Sequence, residues 1–112
     1  MKWWQIVEIG EENKMSWNDK LFIAVDLNFV GDIQSVKNCI ENGANVNARD
    51  MDGFTALMWA CMRGNFEIVK YLVERGADVN AKNNAGFTAL MMASGQGYFE
   101  IVQYLIEKGA KD

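Results

Sequence analysis

Cys39 and Cys61 are the two thiols of this chain, and its 112 residues contain no histidine. A cysteine or serine nucleophile needs a neighbouring base, and the side chain that most often serves is missing. A metal centre would need thiolates, imidazoles or converging carboxylates. The two thiols fall at core-facing positions of different helical segments, with no pairing motif. They read as reduced packing residues, not as a disulfide or a ligand set. Glycines recur at 53, 64, 76, 86, 97 and 109. Turns and helix ends account for them, and none makes a phosphate-binding loop. No catalytic residue, metal ligand or cofactor follows, and the chain is read as non-enzymatic.

The elements that carry these residues are periodic. Residues 53–58, Gly-Phe-Thr-Ala-Leu-Met, return unchanged at 86–91, a displacement of 33. At the same displacement Ala60 matches Ala93, Gly64 matches Gly97, and Phe66 to Val69 match Phe99 to Val102. Gly76 and Ala77 likewise match Gly109 and Ala110. Such a period marks a stack of small units, each unable to bury its apolar face alone. In the middle unit Asp52-Gly53 is turn chemistry and Thr55 an N-cap for a helix to about Met62. Gly64-Asn65 breaks it. A second helix runs from about Phe66 to Arg75, with Ile68, Val69, Leu72 and Val73 on one face and Gly76 at its left-handed end. The next unit predicts a helix from Thr88 to about Ser94, a break at Gly95-Gln96-Gly97, and a helix from Phe99 to Lys108. The first unit is irregular. Its second helix spans about Ile33 to Asn42, but its first carries an inferred three-residue insertion within Asp26–Val30. Ser16 to Asp19 has capping-box spacing, which starts that helix near Trp17. Residues 1–16 precede the repeats, as an apolar lid over the first unit or as an aromatic arm (Trp3, Trp4) that grips a partner.

The bulk numbers fit a single domain with a real core. A net charge of −4 disfavours nucleic acid, which asks for a basic stripe. No apolar stretch reaches the ~18 residues that would suggest a membrane span. Gln5 and Glu8 interrupt the first apolar run, which makes it a poor signal peptide. With reduced thiols, these features predict a cytoplasmic protein.

The pattern Asp-x-x-Gly-Phe-Thr-Ala-Leu-x-x-Ala-x-x-x-Gly-x-x-x-Ile-Val-x-x-Leu-x-x-x-Gly-Ala-x-Val-Asn, as it stands in residues 50–80, resembles an ankyrin repeat. The resemblance covers about residues 17–112, in units of about 17–49, 50–82 and 83–112. It implies an all-α fold with β-hairpin turns: an ankyrin-repeat solenoid of stacked helix-turn-helix units. Hairpin tips and inner helices then line a concave face, with outer helices behind. The family's usual Thr-Pro-Leu-His is Thr-Ala-Leu-Met at 55–58 and 88–91. Met58 and Met91 are expected to fill the histidine's space with apolar bulk, leaving the hairpins more mobile.

In the ankyrin register the tips are Met51-Asp52 and Asn84-Ala85, followed by Phe54 and Phe87. Outward positions of the inner helices are Trp59, Met62 and Arg63, then Met92 and Gln96. The expected partner-binding residues are therefore Met51, Phe54, Trp59, Met62, Arg63, Phe87, Met92 and Gln96. Aromatics, Met and Arg are enriched at interface cores. Phe54 and Phe87, shared by both units, have packing as an equal reading. Trp59, Met62 and Arg63 differ between units, as a surface site would, so Trp59→Ala is expected to weaken binding with the melting temperature nearly unchanged. The resemblance implies a protein-binding module, as a small adaptor, inhibitor or immunity-type factor. A second hypothesis is a homodimer through an uncapped last unit, where Met91, Val102, Leu105 and Ile106 would form an apolar end. A deep polar ligand pocket is a third, and short units offer no enclosed cavity for it.

Overall fold

The computed structural model describes residues 16–26 and 33–111. Among these residues six helices follow one another: α1 (Trp17–Asp26), α2 (Ile33–Glu41), α3 (Ala56–Arg63), α4 (Phe66–Glu74), α5 (Ala89–Gln96) and α6 (Phe99–Glu107). They form three helix pairs in chain order. The first helices make an inner layer in which α3 packs between α1 and α5. The second helices make an outer layer in which α4 touches α2 and α6. The molecule is elongated, at 44 × 25 × 21 Å. This is the one-dimensional pile that the 33-residue period predicts.

Local chemistry sets the ends of each helix. The Ser16 hydroxyl accepts from the Asp19 amide at 3.1 Å, and the Asp19 carboxylate accepts from the Ser16 amide at 3.4 Å, a reciprocal cap at the start of α1. Thr55 caps α3 by accepting from the Met58 amide at 3.3 Å. The Met58 sulfur closes the box by accepting from the Thr55 amide at 3.4 Å. Met58, 1 % exposed, thus brings both apolar bulk and a sulfur acceptor to this position. The Thr88 side chain caps α5 by accepting from the Met91 amide at 3.2 Å. Asn65 caps α4 by accepting from Ile68.

The predicted helix over 88–94 ends too early. Gly95 lies inside α5, which runs to Gln96 and stops at Gly97 in the left-handed region, φ 79°. A glycine inside a helix costs about 1 kcal/mol against alanine, and packing on α3 outweighs that local preference. Two glycines are required by geometry. A Cβ on Gly64, at φ 74°, would stand 2.6 Å from the Tyr98 ring. A Cβ on Gly53, at φ 82°, would stand 2.6 Å from the Asn84 side-chain oxygen.

The hairpins are tight turns tied to one another. Their only bridge among the described residues is an isolated one between Lys82 and Thr88. The Asn84 amide donates to the Asp52 carbonyl at 3.0 Å, and its side-chain amide to the Met51 carbonyl at 3.1 Å. The Arg49 guanidinium reaches the Gly53 and Lys82 carbonyls, joining two units. These bonds tie the turns to one another without the histidines. Behind them, Asn47 donates to the Gly76 carbonyl and accepts from the Asp78 amide. Asn80 repeats both bonds with Gly109 and Lys111. Each asparagine therefore fastens a unit to the next where apolar contact alone would allow sliding.

The core is continuous through all three units, from Leu21 and Ala24 to Ile101 and Leu105. The insertion inferred within Asp26–Val30 falls largely outside the described residues, as does the lid or arm expected over residues 1–15. The apolar end predicted for the last unit is only partly present. Leu105 is fully buried, Val102 and Met91 are half-buried, and Ile106 is 55 % exposed. Leu105 belongs to the core cluster and so does not contribute to that surface.

Candidate functional site

The inner helices and hairpin turns share one face, and a cleft of about 310 Å³ opens on it between units two and three. Phe54 and Phe87 come from equivalent turns, Met62 from the end of α3, and Met91, Met92, Gly95 and Gln96 from α5. Five of the eight residues expected to bind a partner meet here: Phe54, Met62, Phe87, Met92 and Gln96. Ligand pockets run from roughly 300 to 1,000 Å³, so this open cleft lies at the small end of that range, with room for one large side chain. Its lining is mainly apolar, with the exposed Gln96 at the rim.

The other three expected residues lie apart from the cleft. Met51 stands at a turn tip, 97 % exposed, and lines a second, more polar depression with Asp19, Phe22, Arg49 and Asp50. Arg63 is exposed at the C-terminal end of α3. Trp59 is half-buried, and its ring stacks on Phe54 with centroids 4.7 Å apart at 29°. Its indole N–H donates to the Asp50 carboxylate at 3.1 Å.

That geometry revises the expectation for Trp59. The same Asp50 side chain accepts from the Asp52 and Phe54 amides at 2.9 Å each, shaping the turn. Trp59 therefore clamps the turn to α3, and its truncation must cost stability as well as surface. Phe54 is then both packing and lining. Its counterpart Phe87 is 52 % exposed, because Met92 takes the place of the tryptophan.

Sequence reasoning missed Asp50, Met91 and Gly95. For Asp50 a signal was available. Asn83 occupies the equivalent position and accepts from the Ala85 and Phe87 amides at 2.9 Å each. Only the unit with an indole donor carries the carboxylate, so positions 50/59 and 83/92 change together. Gly95 was misread as a helix break. Phe99, 75 % exposed on the outer layer beside Phe66 and Tyr98, was also missed as a surface residue.

Both thiols are free and buried. Burial pushes each up to about 12, with Lys20 pulling Cys39 back in part. Neither is a thiolate at neutral pH, so neither is an activated nucleophile. Among the described residues no three acidic, thiol or imidazole groups stand close enough to hold a metal ion. No helix among them is long and apolar enough to cross a membrane.

The family model for ankyrin repeats, in three copies, matches residues 21–112. The chain is an ankyrin-repeat protein. Ankyrin repeats are generally protein–protein interaction modules and are typically not enzymes. Among relatives, a homologue of acyl-CoA-binding domain-containing protein 6 from Dictyostelium discoideum is 59 % identical over 39 residues, 34 % of this chain and 14 % of that protein. The acyl-CoA-binding domain-containing protein 1 of Arabidopsis thaliana is 51 % identical over 35 residues, 31 % of this chain and 10 % of its own length. A vapyrin-like protein of Medicago truncatula is 37 % identical over 53 residues, 47 % of this chain and 11 % of that protein. The ankyrin chain thus spans from 10 % to 14 % of the length of these relatives.

Proposed function

We propose that this chain binds a protein partner on the face of its hairpin turns and inner helices, through an apolar side chain seated in the cleft between units two and three. One observation carries the reading: Phe87, 52 % exposed, stands with Met92 and Met62 around an open apolar cleft. Clustered aromatic and methionine surface of this kind is typical of interface cores, and water-exposed it has a cost that a partner relieves. Among the described residues no acid–base group lines the cleft, and recognition is the fitting role, as a small adaptor or an inhibitor.

The test is capture from cells of the source organism, comparing the wild-type chain with Phe87→Ala and Met92→Ala. A partner retained by wild type and lost by both variants at unchanged melting temperature supports this face. Capture that survives both variants moves the site elsewhere. A second reading, self-association, is favoured by the exposure of Phe99 and Ile106 on α6, 75 % and 55 %. Sedimentation at micromolar concentration decides it, because a concentration-independent monomer removes the homodimer.

A further inference from the structure

Five of the seven methionines lie among the described residues, and they fall into three environments. Met62, Met91 and Met92 line the cleft. Met51 is exposed at a turn tip. Met58 is 1 % exposed, with its sulfur occupied by the Thr55 amide. Met58 and Met91 hold the same place in successive repeats, so the fold places one chemical group in two states of access.

We propose that Met62, Met91 and Met92 form an oxidation-controlled patch: a hydroperoxide converts their thioethers to sulfoxides and turns the cleft from apolar to polar. In each step a sulfur lone pair attacks one peroxide oxygen. An S–O bond forms as the O–O bond breaks. Sulfur gives up two electrons, and the departing hydroxide takes the remaining peroxide proton and leaves as water. The product is a polar, chiral side chain in place of a flexible apolar one. Thiolates are the usual faster sink for peroxide, but Cys39 and Cys61 are enclosed and protonated. That leaves the thioethers as the accessible sulfur among the described residues. Three sulfoxides around one cleft of about 310 Å³ would wet a surface whose affinity depends on burying apolar area. The functional consequence rests on the binding face proposed above, but the chemistry does not.

The experiment treats the folded full chain with hydrogen peroxide at neutral pH and maps sulfoxide formation residue by residue by peptide mass spectrometry. Circular dichroism confirms that the helices persist. The cleft methionines are expected to oxidise roughly tenfold or more faster than Met58, whose sulfur is reached only when the fold opens. Oxidised wild type is expected to elute earlier in hydrophobic-interaction chromatography. The Met62→Leu/Met91→Leu/Met92→Leu variant is expected to lose most of that shift. Oxidation of Met58 at the rate of the cleft methionines overturns the proposal, as does prior oxidation of either cysteine or an unchanged shift in the triple variant. If the variant does not fold, the wild-type map still decides. Because the map is read on the free chain, its failure leaves the binding face standing, and failure of partner capture leaves the map standing.

Discussion

The Trp59–Asp50 contact can be weighed quantitatively. Trp59→Phe keeps a ring against Phe54 but deletes the indole N–H that donates at 3.1 Å. A hydrogen bond to a charged acceptor contributes about 1.5–3 kcal/mol when enclosed; half-exposed here, it is worth about 1 kcal/mol. Trp59→Ala also removes the stack, a further ~1 kcal/mol, and the buried part of the indole, about 1 kcal/mol again. The alanine variant should therefore lose about 3 kcal/mol, which is a fall of roughly 10–20 °C in a domain of this size. Asp50→Asn isolates the bond, since Asn83 shows that an asparagine supports the same turn amides. Urea titrations of wild type, Trp59→Phe, Asp50→Asn and the double variant form a cycle, with an expected coupling of about 1 kcal/mol. Additive single variants would refute the clamp, and a Trp59→Ala variant melting with wild type would restore the tryptophan to a purely surface role.

Other perturbations follow from the same geometry. Gly64→Ala combines a left-handed backbone, about 1 kcal/mol or more, with a Cβ 2.6 Å from the Tyr98 ring. It should cost about 2 kcal/mol by urea titration, and adding Tyr98→Ala should relieve only the clash. The Ser35 hydroxyl is buried with no hydrogen-bond partner among the described residues, at the repeat position that Ile68 and Ile101 occupy. Ser35→Ala should leave stability unchanged or raise it by up to ~1 kcal/mol, and a clear loss would show that the hydroxyl is bonded. Cys39 and Cys61 have folded pKa values raised from 9.0 to about 12. The folded state then holds protons that the unfolded state has lost, so stability is intact below pH 9 and falls between about pH 9 and 12. Cys39→Ala/Cys61→Ala should flatten that alkaline limb, and native wild type should resist iodoacetamide at pH 8.

The inner and outer layers were implied by the ankyrin resemblance, while the repeat, its turns and its helix starts were legible in the 33-residue period. Spacing alone determines these last, because each depends on residues within one unit: Thr55 on Met58, Ser16 on Asp19, Gly76 after Leu72. The strip of candidate binding residues was legible in part, through variation at matched positions. What one chain position does across the stack was not. Whether Gly95 breaks a helix depended on the packing of the rest of α5 against α3, which overrode local propensity. Whether Trp59 faces solvent or clamps a turn depended on a carboxylate nine residues earlier folding back over it. Met58 and Met91 each follow the same Gly-Phe-Thr-Ala-Leu, and the tertiary arrangement made one a buried acceptor and the other the wall of a cleft. Local capping and turn energies act over three or four residues and can be read in order. Burial and side-chain pairing arise between units, where the sequence records the partners but not their approach.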